Sequence, residues 1–457
     1  MWISVAPGNG QAADLLLPPQ VGALHIRERA VLKYGAGERS VTVGQLPEEA
    51  GGGSGESQAN PVRVQVAREV MAELRMRPEP VYQLRVDGET IEIGPVLGLL
   101  LGNRNHWYSD SYLSREPERV TGVYPATGGL FCAFAARNYS AADRCAYGLY
   151  FDPTRDRWSY GELPVPSVVH RRSFMADRAS VQRVLAVPGL QMFNSRRFDK
   201  WELYQLLAKD ARLRVHLPET VQAANTNKAM ALLRRHHMVV LKPADLSRGR
   251  GILFAQRLFR QYRVIDCQGE GEHQVTTLTK PEMERLLADL GARRYLVQQR
   301  VDLATIDEAP FDVRIVMQRG STGAWSESAI EVRLAGHGRL VTNIAYGGRA
   351  LFLPNALELA FGRGLDPAEA EAEAVQLSRR ICEKLDATGE CFAEFGIDLA
   401  LDNRGRYWII EANVIPTFKG FAALDPRIYR RLLGAPLLYA ATLAGFGVPG
   451  GGGEEHD

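Results

Sequence analysis

Cysteine is scarce: five in 457 residues (Cys132, Cys145, Cys267, Cys382, Cys391), with no C-x-x-C pair among them. Thiols scattered in this way supply neither a disulfide framework nor a zinc site, and they point to a reducing compartment. Long apolar runs are missing as well. The longest candidate, Pro436 to Val448, falls short of the ~18 residues that a membrane-spanning helix requires. The N-terminus has no basic stretch followed by an apolar run, so no signal peptide is expected and the chain reads as cytoplasmic. Nor is there an excess of one charge. The formal net charge is +2 with no dense Lys/Arg block, which removes the electrostatic case for nucleic acid. G-x-x-x-x-G-K-[ST] does not occur and no G-x-G-x-x-G follows the apolar run at Ile91, so a Walker loop and a dinucleotide fingerprint after that strand are both excluded.

What is present is the composition of a globular protein, 46% hydrophobic, on a chain long enough for two to four domains. Its most informative stretch is CFAEFGIDLALDNRGRYWIIEANVIPTF, Cys391 to Phe418. Two apolar-rich runs flank Asp402-Asn403-Arg404-Gly405, which predicts a β-hairpin. A turn centred on Asn403-Arg404 sets Leu401 against Arg406, Asp398 against Ile409 and Gly396 against Glu411. Alternation then puts Asp398, Glu411 and Asn413 on one face, the two carboxylates diagonal to each other. Ile397, Leu399, Leu401, Trp408 and Ile410 form the opposite, core face. Two carboxylates and an amide oxygen in an apolar hairpin are costly unless a cation lies between them. Oxygen ligands without His or Cys favour magnesium or manganese, most naturally magnesium carried by a nucleotide. The alternative is a pair of carboxylates at a solvated sheet edge.

Residues 1 to 90 read as a β-rich segment with a Gly-rich insert at Gly51 to Gly55 and a helix at Val62 to Arg75. Residues 91 to 195 read as a small α/β domain, with IEIGPVLGLLLG as one buried strand followed by GGLFCAFAA and AYGLYFD. A helix opens at Phe198-Asp199-Lys200-Trp201, and another runs from Asn225 to Arg235. The strand Met238 to Leu241 ends at Lys242. Ser247-Arg248-Gly249-Arg250-Gly251 follows, a loop whose small residues let backbone N–H groups approach phosphate, although a plain glycine-tipped hairpin reads the same way. Tyr295 to Val301 is a strand. FDVRIVMQ carries Asp312 and Arg314 on one face; Arg314 suits phosphate or carboxylate, or simply pairs with Asp312. AIEVRLA places Arg333 on the next strand, and Asn343 and Gly347-Gly348 lie in the turn beyond it. Asp366 to Leu385 and Pro426 to Leu433 are helices. Residues 441 to 457 form a Gly-rich acidic tail expected to be disordered.

This order of features resembles the ATP-grasp superfamily over roughly residues 196 to 430. IGPVLG, LPVPSVVHRRS, LPET and EFGIDLALDNRGRYWIIEAN resemble more narrowly the YheC/YheD family of endospore coat-associated proteins. The resemblance implies an α/β (α+β) ATP-grasp domain at 196–440, preceded by a pre-ATP-grasp domain at 91–195. It implies that Lys200 and Lys242 contact nucleotide phosphates, and that Ser247, Arg248, Gly249, Arg250 and Gly251 fold over them. Gln298, Gln299 and Val301 would form the adenine-binding hinge, although Gln-Gln-Arg-Val stands where many relatives carry an acid and a lysine. Asp398, Glu411 and Asn413 would hold magnesium, with manganese the second choice. Arg314, and less directly Arg333, would face the transferred phosphoryl group.

Such a site activates a carboxylate with ATP and passes it to an amine or other nucleophile by positioning and electrostatics. The reading implied is a carboxylate–amine ligase acting on an unidentified acid and nucleophile, such as a peptide or spore-surface polymer. A nucleotide-binding structural protein of the spore coat and a phosphotransferase are the alternatives.

Overall fold

The computed structural model describes residues 1–8, 13–22, 28–47, 53–108, 117–246, 250–266, 274–336 and 348–447. Gly51 and Gly52, Ser247, Arg248 and Gly249, Cys267, Asn343 and Gly347, and the tail from Val448 onwards lie outside the described residues.

The first seven strands are β1 (Trp2–Gly8), β2 (Leu15–Leu17), β3 (Arg29–Tyr34), β4 (Gly37–Gln45), β5 (Val62–Ala67), β6 (Val81–Asp87) and β7 (Thr90–Gly94). They close into a barrel in the order β1-β5-β2-β4-β3-β7-β6. The stretch Val62 to Arg75, expected as one helix, divides into β5 and a short helix, Arg68–Leu74. Val62, Val64 and Val66 alternate into the barrel, each fully buried, so the period of two prevails over the i, i+4 spacing. The run from Ile91 to Gly102 is likewise two strands rather than one. Pro95 separates β7 from β8 (Val96–Leu101), which enters the next sheet.

That second sheet adds β9 (Leu130–Ser140), β10 (Cys145–Asp152), β11 (Arg157–Leu163), β12 (Val168–Arg171) and β13 (Gln191–Phe193), in the order β11-β10-β9-β8-β12-β13. The third contains β14 (Thr220–Gln222), β15 (Met238–Pro243), β16 (Leu253–Arg257), β17 (Tyr262–Asp266), β18 (Gln274–Leu278) and β19 (Tyr295–Gln299), in the order β14-β19-β15-β16-β17-β18. Helices Thr226–His236 and Lys280–Ala292 cover it through Met230, Leu233, Met283 and Leu287.

The fourth sheet is built from β20 (Thr305–Ile306), β21 (Ala309–Arg319), β22 (Trp325–Leu334), β23 (Arg349–Leu351), β24 (Glu394–Leu401) and β25 (Tyr407–Asn413), with path β23-β22-β21-β24-β25. One face presents Val313, Ile315, Val332, Ile397 and Leu399 to the helix Pro367–Asp386. The other carries a row of charged residues.

The last helix runs Pro426–Leu443, ten residues past its expected end and straight through Pro436. A proline inside a helix leaves the carbonyl four residues earlier without its donor. Here that carbonyl, on Leu432, accepts instead from Gln318 Nε2 at 2.8 Å. The next one, Leu433, accepts from Arg119 Nη1 at 2.9 Å.

Gln318 also belongs to a polar junction between the second and fourth sheets, in which it, His170 and Glu394 are fully buried. Glu394 Oε1 lies 3.2 Å from His170 Nε2 and accepts from Arg172 at 2.8 Å, while Gln318 donates to Oε2 at 3.3 Å. Burial holds His170 down at about 4. Burial opposes the Glu394 charge, but His170 and Arg172 outweigh it and hold that carboxyl at about 2.

Candidate functional site

The hairpin β24–β25 forms as its turn residues dictate, but with different pairing. Asp402 N donates to Arg406 O at 3.0 Å, which leaves a three-residue loop, Asn403-Arg404-Gly405, with Gly405 at φ +79°. Only a residue without a Cβ takes that conformation cheaply. Leu401 therefore pairs with Tyr407 rather than Arg406. The register shifts again between Asp398 and Leu399, with Ile410 as the extra residue, so Asp398 lies directly opposite Glu411 and Gly396 opposite Asn413. The two carboxylates are direct neighbours, not diagonal ones. The core face of β25 is correspondingly Tyr407, Ile409 and Ala412, whereas Trp408 and Ile410, expected there, are half-buried. The bulge re-aims every side chain that follows it.

Across the charged face, register places Glu331, Arg314, Asp398 and Glu411 in one row over β22, β21, β24 and β25. Arg314 does not pair with Asp312. It grips Asp398 through Nε at 2.7 Å and Nη2 at 2.8 Å. Arg333 takes Asp312 instead, with both bonds at 2.7 Å, and its Nη2 reaches Asp398 at 3.1 Å. Cross-strand pairing decides this, because directly opposed residues are nearer than residues i and i+2 on one strand. Burial works against the Asp398 charge, but the two guanidiniums outweigh it and lower its carboxyl. Asn413 Nδ2 stands 3.5 Å from Asp398 Oδ2. Gly396 permits this packing. A Cβ there would come within 2.8 Å of Pro416 Cβ and 3.5 Å of Arg314 Nε.

Sequence reasoning missed Glu331. It is 1% exposed, and its Oε2 has no hydrogen-bond partner among the described residues. Burial pushes its carboxyl up to about 7 against the pull of Arg314 and Arg333. The signal was available: in AIEVRLA it shares a strand face with Arg333.

Both lysines converge on this row, Lys242 from the third sheet and Lys200 from a helix that packs on the core of the fourth. Lys200 opens the helix Lys200–Leu207, whose N-terminus is closed by an Asp199–Glu202 capping box. Its Nζ lies 3.4 Å from Glu411 Oε1 and donates to the Leu246 carbonyl. Lys242, on β15, is buried and donates to Gln298 Oε1 at 2.7 Å. Gln298 Nε2 in turn donates to Thr220 Oγ1 at 2.8 Å. Burial first, then the nearby Lys200 charge, lower the Lys242 ammonium to about 7, although Glu411 pulls the other way. The side chain of Gln298 thus holds a lysine, while that of Gln299 accepts from Glu219 N at 3.1 Å. Val301 lies just past the end of β19.

Of the expected phosphate loop, Arg250 is exposed and Gly251 adopts φ +74°, where an added Cβ would meet Tyr295 Oη at 2.8 Å and Pro243 Cγ at 2.9 Å. Phe198, Lys200, Leu246, Glu411, Asn413 and Val414 line a cleft of about 190 Å³. A cavity of about 170 Å³ beside the barrel, lined by Tyr34, Glu73 and Arg75, gathers none of the candidate residues.

Among the described residues no group of three or more His, Cys, Asp or Glu side chains is arranged to hold a metal ion. The donor set at Asp398 consists of two carboxylates and an amide. That chemistry fits a hard divalent ion whose remaining ligands come from a nucleotide.

The chain matches the model of the YheC/D like ATP-grasp family over residues 189–443, more than half its length. It is similar to the endospore coat-associated protein YheD of Bacillus subtilis (strain 168), 23% identical over 352 residues covering 72% of this chain and 74% of that one. It is also similar to YheC of the same organism, 21% identical over 354 residues covering 75% and 94%. Among solved structures it superposes loosely on D-alanyl-alanine synthetase A from Vibrio cholerae, with TM-score 0.45 and 12% identity, covering 77% of this chain and 97% of that one. The family match, covering both lysines, the charged row and the hairpin, carries the assignment: this chain belongs to the YheC/D like ATP-grasp family.

Proposed function

We propose that the protein is a magnesium-dependent ATP-binding ligase that joins a carboxylate to an amine through an acyl phosphate. The observation that supports this best is convergence. Lys200 comes from the start of a helix, Lys242 from the third sheet and Asp398, Glu411 and Asn413 from the fourth, and the Lys200–Glu411 contact at 3.4 Å joins lysine to carboxylate. Lys200 and Lys242 would neutralise phosphate oxygens, with Arg250 and Gly251 at the edge of the loop above them. Arg314 would stabilise charge on the transferred phosphoryl group, Arg333 holding its neighbour Asp312. Asp398, Glu411 and Asn413 would hold magnesium, or manganese as second choice, which when bound neutralises phosphate charge. A carboxylate oxygen then attacks the γ-phosphorus, ADP leaves, and the amine displaces inorganic phosphate from the acyl phosphate. Residues 298 to 301 would meet the adenine through backbone groups, since the side chains of Gln298 and Gln299 are engaged elsewhere.

In this reading residues 91–195 form a pre-ATP-grasp domain, 196–440 the catalytic domain, and 1–90 an accessory barrel. The curated relatives carry coat-associated names. We therefore place the protein in the cytoplasm of a spore-forming cell and on the route to the spore coat, its acceptor a peptide or spore-surface polymer. No helix among the described residues is long and apolar enough to cross a membrane.

A second reading has its own support. Lys200, Arg314 and Arg333 each already face a carboxylate, an arrangement that also suits a nucleotide-binding structural component of the coat without turnover. The deciding experiment is ADP release from the purified protein with Mg2+, ATP and a panel of acids and amines, with products read by mass spectrometry. Release that requires both an acid and an amine supports the ligase. Nucleotide binding without such release supports the structural reading.

A further inference from the structure

Three carboxylates and two guanidiniums crowd the dry middle of the charged row. Asp312 and Asp398 are fully engaged by Arg314 and Arg333, with four bonds between 2.7 and 2.8 Å. Glu331 is the surplus carboxylate. It is 1% exposed, its Oε2 is unpartnered among the described residues, and it lies directly across the β21–β22 pairing from Arg314. Arg314 therefore stands between two carboxylates of neighbouring strands, Asp398 on one side and Glu331 on the other. Directly opposed residues in adjacent strands have their Cα atoms roughly 5 Å apart. A guanidinium on a flexible stem crosses that gap by rotating its side chain, without any strand movement.

Leaving a buried carboxylate oxygen unbonded is expensive, and a role in another state of the protein explains why such a group is kept. The reading of Asp398 as a cation ligand supplies that state. Arg314 and Arg333 place three close contacts on the two oxygens of Asp398, and a divalent ion there brings more positive charge against both guanidiniums, so the withdrawal of one favours its binding. Arg333 is anchored by its two bonds to Asp312. Arg314 hydrogen-bonds Asp398 alone among the described groups, and the carboxylate directly opposite it on its other neighbouring strand is Glu331.

We infer that Glu331 is a positioning residue that receives Arg314 when a divalent cation occupies Asp398. This inference rests on the proposed cation site. In the cation-free protein Arg314 masks Asp398. In the loaded protein it is bonded to Glu331, and that bond sets where its guanidinium meets the transferred phosphoryl group. Loading is then coupled to the arginine's move, and a bonded partner for Arg314 favours the loaded state.

The test is calorimetric titration of ADP into the full-length protein, once with excess Mg2+ and once with EDTA, for the parent, Glu331→Gln and Glu331→Asp. Gln keeps the shape and removes the charge. Its effect should fall on the magnesium-dependent part alone, weakening Mg2+·ADP binding by on the order of ten-fold or more, the worth of a hydrogen bond to a charged group, while affinity in EDTA stays within about two-fold. Asp should recover most of the loss. Equal weakening in both conditions means a structural role and overturns the inference, as does parental magnesium dependence in Glu331→Gln. If the parent itself shows no magnesium-dependent ADP binding, the cation site and this inference fall together, which distinguishes that failure from the other two. Should Glu331→Gln not fold, a crystal structure of the parent with Mg2+ and ADP decides. Arg314 must lie within hydrogen-bond distance of Glu331, and an Arg314 still bidentate on Asp398 beside a seated cation overturns the inference.

Discussion

Replacing Lys242 with Met should stabilise the protein while removing its response to nucleotide. Lys242 is 6% exposed, and its ammonium titrates at about 7 against an ordinary 10.5. Above pH 10.5 the amine is neutral in folded and unfolded chains alike and carries no penalty. As the pH falls from 10.5 to 7 the unfolded chain binds a proton that the folded chain does not, so stability declines; below 7 the loss is complete and constant. At about 1.4 kcal/mol per unit, the deficit near pH 7 is about 4 kcal/mol. Met removes it but leaves Gln298 Oε1 without its donor, at a cost of about 1–3 kcal/mol. The net gain is about 1–3 kcal/mol, which for a protein of this size raises Tm by several degrees, at roughly 2–4 °C per kcal/mol. At pH 9.5 the deficit shrinks to about 1 kcal/mol, so the advantage should disappear or reverse. Thermal unfolding of parent and variant at pH 7 and 9.5, each with and without Mg2+ and ADP, measures all of this. A Tm that falls at pH 7, or a gain that does not depend on pH, refutes the electrostatic argument. A nucleotide-induced shift as large as the parent's refutes the phosphate contact.

Glu411→Ala removes a cation ligand and one of two adjacent carboxylates, so the nucleotide-free protein should keep its Tm within about 1 kcal/mol of stability and lose most of the shift induced by Mg2+·ATP in thermal unfolding. Arg314→Lys keeps the charge but not the planar fork that grips Asp398; turnover should fall on the order of 10³-fold with ATP affinity near normal, checked by steady-state kinetics beside direct binding. His170 is held neutral in the fold, at about 4 against an ordinary 6.5, so the unfolded chain alone gains a proton as pH falls from 6.5 to 4 and about 3 kcal/mol of stability is lost across that window. Denaturant unfolding at pH 7, 5.5 and 4.5 should show this acid limb flattened in His170→Gln; an unchanged limb assigns it elsewhere.

Much of the functional reading was legible without coordinates, because it depends on residue type, order and short-range periodicity. The turn cluster at Asp402 to Gly405, the alternation on either side of it, Lys200 in the first turn of a capped helix and Lys242 on a strand before a Gly-rich loop are all local features. So is the family resemblance, which the match over residues 189–443 bears out. What local patterns could not supply was pairing between strands distant in the chain. An added turn residue at Gly405 and a bulge at Ile410 shifted β25 twice and made Asp398 and Glu411 direct neighbours. The partner of Arg314 proved to be Asp398, 84 residues away, rather than Asp312 two residues away. The long last helix persists through Pro436 because Gln318 and Arg119, far off in sequence, approach the carbonyls at the proline's break. Glu331 became visible only once burial left one of its oxygens without a partner. Composition and periodicity settle what a segment can form by itself. Which buried charges face one another follows from how the strands align in space, and tertiary packing alone decides that.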